Sequence, residues 1–179
     1  MNKRQVYWGL GIGISLTGLG FLIFHRRKEL TDAVEQVEQK AGEVRQKLEG
    51  WLKPLAAKIS SPFGYRTNPV TKEKQFHNGI DLPVPVGTSV KSPMDGVVEN
   101  VYFNSLGGNQ LIVKHSNGFS TGYAHLTKAL VKKGDKIKKG QSLALSGNTG
   151  RSTGPHVHFT MKDAKGNYLD PAKVLYSIS

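Results

Sequence analysis

A mainly β fold, an antiparallel sheet preceded by a helical N-terminal third, is what the sequence predicts. Three observations lead there. Beyond residue 57 the chain breaks into short β-prone runs, punctuated by fourteen of its 21 glycines. No two of these runs are joined by the long amphipathic stretch that a parallel crossover needs. Before residue 58 the pattern changes to an uncharged run and then a heptad repeat. At 179 residues the chain has room for one domain with a real core, plus an appendage.

Residues 1–28 read as a membrane anchor with a basic flank. Val6 to Phe24 is 19 residues without a charge. At about 1.5 Å per helical residue that run matches a hydrocarbon core of about 30 Å. Tyr7 and Trp8 stand at one end, where interfacial aromatics belong. A cleaved signal peptide is the rival reading. The length of the run, the lack of an Ala-x-Ala-like site and the following His25-Arg-Arg-Lys28 argue against it. Basic residues flank both ends, so charge does not decide the orientation.

Residues 29–57 read as a helical stalk. Leu30, Val34, Val37, Ala41, Val44, Leu48, Trp51 and Leu55 follow a 4-3 alternation, the heptad spacing of a coiled-coil seam. Thr31-Asp32 with Glu35 can cap the start. Gly42 and Gly50 each weaken the helix by about 1 kcal/mol relative to alanine, and Pro54 ends or kinks it. Weak self-association through residues 30–55 is one expectation. Packing of the last apolar turn on the following domain is the other.

Residues 58–179 read as the β domain. Val97–Phe103, Gln110–His115, Phe119–His125 and Gln141–Ser146 are strand-like, separated by Gly107-Gly108, Asn117-Gly118 and Lys139-Gly140. Asn117-Gly118 suits a type I′ hairpin turn. The net charge is +12, with sixteen Lys/Arg against seven Asp/Glu beyond residue 57. An acidic partner such as nucleic acid, anionic lipid or anionic wall polymer would suit that balance. No nucleic-acid motif or aromatic-and-basic reading surface accompanies it, so no nucleic-acid partner is expected. There is no cysteine, so any transition-metal site must be built from histidine and carboxylate.

The chemistry lies in three separated pieces. In His156-Val-His158 the two rings share one face of a strand. In His77-Asn-Gly-Ile-Asp81, Gly79 and Pro83 argue against a helix, but positions four apart also share a face in extended chain. His125 ends a strand in Gly122-Tyr-Ala-His-Leu126. His25 and His115 stand outside these pieces and read as structural. Two histidines and an aspartate suit a catalytic zinc, because three protein ligands leave one tetrahedral position open. The helical His-Glu-x-x-His signature is absent, so a second pair of histidines would have to do the acid–base work.

Taken in order, the motifs resemble the lysostaphin/LytM family of zinc peptidoglycan endopeptidases from about Ile59 to Val174. They are Ser60-Ser-Pro-Phe-Gly-Tyr-Arg66, His77-Asn-Gly-Ile-Asp-Leu82, Gly87–Val98, Tyr123-Ala-His-Leu126, Val131–Gly140 and Ser146–Phe159. The resemblance implies a LytM-like sheet (a duplicated hybrid motif) and one Zn2+ per chain held by His77, Asp81 and His158. It makes His125 and His156 the catalytic histidines. Thr160 departs from the glutamate that many relatives carry there, without touching the five site residues.

The implied activity is hydrolysis of peptide crosslinks in peptidoglycan. The Ser-Pro-Phe-Gly-x-Arg opening and the Ser-Gly-Asn-Thr-Gly-Arg-Ser-Thr-Gly-Pro loop resemble the DD-endopeptidase branch. That branch implies D-Ala–meso-diaminopimelate bonds rather than glycyl-glycine bonds. Degenerate relatives lose ligands and serve as non-catalytic wall-binding or regulatory modules; retention of all five residues favours the enzyme. With the anchor, the expectation is a single-pass membrane protein whose catalytic domain faces the periplasm and wall, or alternatively a protein of a virion membrane.

Overall fold

The computed structural model describes residues 25–40, 50–67 and 72–175. The chain divides into two compact units, Met1–Lys47 and Leu48–Ser179. In the first, residues 25–40 form helix α1, and the Thr31 hydroxyl donates back to the Arg27 carbonyl at 2.9 Å. Leu30, Val34 and Val37, the first three heptad positions, are exposed on it. The expected membrane span at 6–24 lies outside the described residues. Among the described residues no helix is long and apolar enough to cross a membrane. Half the residues of α1 are charged, and charge is costly in hydrocarbon. The expectation of a single-pass protein of a bacterial or virion membrane is corrected on that finding.

Ala41, Val44 and Leu48 also fall outside the described residues. The last two heptad positions belong to the second unit and are not helical. Gly50 has a φ of 86°, and Pro54 has no N–H to donate. Trp51 meets His115 edge-on at 4.9 Å and Phe119 at 6.0 Å, while Leu55 is buried in the core. The Leu52 N–H donates to Pro93, and the Pro54 carbonyl accepts from Lys91, so this segment is tied to the β unit through its backbone. At Trp51 and Leu55 the 4-3 spacing records tertiary packing.

The β unit holds eleven strands among the described residues, and every pairing is antiparallel. A small sheet pairs β1 (Gly64–Thr67) with β2 (Lys74–His77). The large sheet is centred on β5 (Gly96–Asn104), β6 (Gly108–His115), β7 (Ser120–Ala129) and β10 (His156–Lys162), which are neighbours in reverse order. On the far side of β10 lie β3 (Ile80–Pro83) and β11 (Tyr168–Leu169); β8 (Lys136–Ile137) flanks β5. The set is completed by β9 (Ser142–Ser146), paired to β7, by β4 (Ser89–Lys91), paired to β9, and by a short helix α2 (Pro171–Leu175). The mainly β antiparallel expectation therefore holds, and the four strand-like runs fall on β5, β6, β7 and β9.

The Asn117-Gly118 turn differs from expectation. His115 and Phe119 close a three-residue loop in which only Gly118 has positive φ, 87°. A type I′ turn needs positive φ at both central residues; a left-handed glycine closing a three-residue loop is the alternative hairpin solution.

Period-two alternation makes β10 two-sided. Val157, Phe159 and Met161 are fully buried, while His156, His158 and Thr160 face the other way and are only partly buried. Phe159 packs on Tyr123 with ring centroids 5.4 Å apart. Burying each large apolar side chain contributes about 1.5–3 kcal/mol. That core fixes the strand whose opposite face carries the histidines.

Candidate metal centre and active site

Strand register brings the first pair together. On β10 and β3, His158 lies directly opposite Asp81, on the same face. His77 arrives differently from the expected single extended segment. It ends β2, and Asn78-Gly79 turns the chain into β3. A Cβ at Gly79 would stand 2.3 Å from the Phe159 carbonyl oxygen, so only glycine allows this close approach to β10. His125 stands one residue beyond Ala124, which pairs with His158. Its φ is 61°, left-handed for a non-glycine residue, and its N–H donates to the Gly107 carbonyl at 2.7 Å. The β6–β7 register slips at this point, between Asn109 and Leu111. This local break brings the ring against His156, with centroids 4.6 Å apart.

All five residues singled out in the sequence meet in one place. His77 Nε2, His158 Nδ1 and Asp81 Oδ1 form a triangle with sides of 3.0, 2.9 and 3.1 Å. They form a group able to offer one ligand atom each to a single ion. A tetrahedral ion bound at about 2.0–2.1 Å has ligand edges of about 3.3 Å, so the triangle is close to the size required. The donor chemistry agrees: two imidazole nitrogens and a carboxylate oxygen are ordinary zinc ligands.

The outer ends of the rings explain why the inner nitrogens are bare. His77 Nδ1–H donates to the Pro62 carbonyl at 2.8 Å, and His158 Nε2–H donates to Asn78 Oδ1 at 3.0 Å. His125 Nδ1–H donates to the Thr149 carbonyl at 2.7 Å, and His156 Nδ1–H to the Gly154 carbonyl at 2.7 Å. Each acceptor selects the tautomer whose other nitrogen carries a lone pair. His156 Nε2 lies 3.8 Å from Asp81 Oδ1, and Arg66 holds the carboxylate's other oxygen at 3.4 Å.

The electrostatics of Asp81 and His158 favour the metal-binding form. Burial opposes ionisation of Asp81, but hydrogen bonding and charge from a proton carried between it and His158 or His77, the place a cation would take, outweigh it and hold the carboxyl well below its usual range. Burial lowers His158 below the ordinary imidazole value despite the opposing pull of Asp81. Burial also lowers His125, against the bond to Thr149, which raises it. Neutral imidazoles and an ionised carboxylate are the states a cation binds.

Two residues at this site escaped sequence reasoning, Asn78 and Arg66. Both sit within motifs already noted, yet no spacing rule says that one orients His158 or that the other holds Asp81. The remaining histidines lie elsewhere. His25 is exposed on α1; His115 is buried, between the Asp95 carbonyl at 3.1 Å and Thr121 Oγ1 at 2.8 Å.

An antiparallel sheet with a two-histidine, one-carboxylate centre and two further histidines beside it defines a metallopeptidase-type site. The model of peptidase family M23 matches residues 75–171, and the chain belongs to that family of zinc-dependent metallopeptidases. The peptidoglycan DD-endopeptidase ShyA of Vibrio cholerae is 41% identical over 159 residues, covering 84% of this chain and 37% of its own length. A zinc-containing peptidase from Vibrio cholerae superposes with a TM-score of 0.59 at 40% identity, covering 67% of this chain and 37% of its own. The catalytic domain of lysostaphin from Staphylococcus simulans superposes with a TM-score of 0.60 at 30% identity, covering 74% and 98%. The fold is thus the LytM-like one that the motifs implied.

Proposed function

We propose that this chain is a zinc-dependent peptidoglycan endopeptidase that hydrolyses D-Ala–meso-diaminopimelate crosslinks, with the chemistry in residues 58–179. His77, Asp81 and His158 hold the zinc through Nε2, Oδ1 and Nδ1. Zinc supplies Lewis acidity there, which makes water a nucleophile near neutral pH. His125 and His156 offer their Nε2 atoms to accept and return protons as the amide is cleaved. Their Nδ1–H bonds to fixed carbonyls hold that tautomer and aim each ring.

The observation that carries this reading is the common arrangement of the four histidines. Each has its outer nitrogen bonded to an oxygen and its inner nitrogen left for chemistry. A module that only binds the wall has no need of that arrangement. The choice of crosslink is supported by ShyA, a peptidoglycan DD-endopeptidase that this chain matches over most of its own length and of which it spans 37%.

The test is digestion of purified sacculi containing meso-diaminopimelate by the zinc-loaded full chain, with the products separated by chromatography. Conversion of crosslinked muropeptides to monomers is expected. Equal or better cleavage of pentaglycine bridges would contradict the crosslink assignment.

A further inference from the structure

The cleft has two arms that differ in charge, and the five site residues are shared unequally between them. One arm runs over β5, β6, β7 and β10 and includes Glu99, Tyr102, Lys162 and Tyr168; of the five it contains His158 alone. The other contains all five, together with Arg66 and Arg151 and no carboxylate besides Asp81. The arms meet at Asn78, Gln110, Ala124 and His158.

Amide hydrolysis gives this asymmetry a direction. Water adds its oxygen to the carbonyl carbon, the C–N bond breaks with its electron pair going to nitrogen, and that nitrogen must take up a proton. The water's own protons leave to a base. The group that protonates the departing amine must lie on the amine's side of the scissile bond. His125 and His156 line only the arginine arm, so the amine half of the substrate belongs there and the acyl half belongs in the other arm.

The chemistry of the proposed crosslink then identifies a partner for one arginine. In a D-Ala–meso-diaminopimelate bond, the carbon carrying the departing nitrogen also carries a free carboxylate. Arg66 is already engaged with Asp81. Arg151 is exposed, but its backbone is held: its N–H donates to the Leu106 carbonyl at 2.9 Å, and Gly150, with φ 74°, packs directly on Gly108. A guanidinium is the side chain best matched to a planar carboxylate.

We infer that Arg151 is a specificity-determining residue that binds the carboxylate beside the scissile nitrogen and so seats the amine half of the crosslink in the arginine arm. This inference rests on the crosslink assignment above. It also separates the substrate from a glycine bridge, which has no side carboxylate to offer.

The test compares two crosslinked muropeptide dimers, one with that carboxylate free and one with it amidated, on the zinc-loaded full chain and on Arg151→Gln. The wild-type protein should favour the free form, and Arg151→Gln should lose about tenfold to a hundredfold in kcat/KM on it. The same variant should hardly change on the amidated dimer and should keep its zinc. Calorimetric binding of a stem-peptide monomer bearing the free carboxylate should weaken by a similar factor. Equal losses on both dimers, or loss of the preference in Lys162→Gln instead, would overturn the inference while leaving the crosslink assignment standing. A wild-type protein that cuts neither dimer would overturn the assignment itself, and the inference with it.

Discussion

Two kinds of histidine occur in this β unit. His115 uses both ring nitrogens, one toward the Asp95 carbonyl and one toward Thr121, whose hydroxyl lies 3.0 Å from that of Tyr123. Trp51 closes over its ring. The four histidines at the metal centre each bond an oxygen through one nitrogen and turn the other toward the site. The first arrangement satisfies a polar group inside a core, where an unpaired one would cost about 1–3 kcal/mol. The second leaves lone pairs facing one another 3.0 Å apart, between His77 and His158, which is costly unless a proton or cation lies between them. His77 and His125 are buried as His115 is; the number of saturated nitrogens is what separates structure from chemistry.

The comparison breaks most visibly at Asp81. Asp81→Ala removes one ligand and the charge that balances the cation, so zinc content should collapse and peptidase activity fall at least about 10³-fold. Metal analysis beside a turnover assay checks both. His156→Ala should leave zinc in place while kcat falls by about 10²–10⁴. Loss of zinc in that variant would make His156 a ligand and redraw the division of roles.

A smaller effect is expected one shell out. Asn78→Ala deletes the acceptor that selects the His158 tautomer, and zinc affinity should weaken by about 10–100-fold in a chelator competition. An unchanged affinity would mean that strand register alone orients the ring.

The smallest effect concerns the saturated histidine. Burial holds His115 below its ordinary value of 6.5. Below about that pH the unfolded imidazole takes up a proton while the folded one stays neutral, so the unfolded state binds more protons and stability falls as pH drops. His115→Leu should cost about 1–3 kcal/mol at neutral pH, through the partner that the Asp95 carbonyl and the Thr121 hydroxyl each lose, yet show a flatter decline between pH 7 and 5. Thermal melts across that range measure both, and zinc content should not change.

Much of this was legible in the sequence, for definite reasons. Strand periodicity places His156 and His158 on one face whatever the rest of the fold does, and the glycine-bounded runs mark the strands. Other features were not legible because they depend on distant backbone. The left-handed turn at His125 exists because Gly107 offers a carbonyl and the β6–β7 register slips. Gly79 matters only because the Phe159 carbonyl passes so close. The carbonyls of Pro62, Thr149 and Gly154 orient three rings but have no side-chain signature at all. At Trp51 and Leu55 the heptad spacing was real, but the surface being covered was the sheet.

The most direct test of the account is the zinc content of His158→Ala and His125→Ala, purified as full chains beside the wild-type protein. Near one zinc per chain is predicted in the wild type and in an inactive His125→Ala, with almost none in His158→Ala. Zinc retained in His158→Ala, or lost in a folded His125→Ala, would contradict the separation of ligand from acid–base histidines on which the mechanism stands.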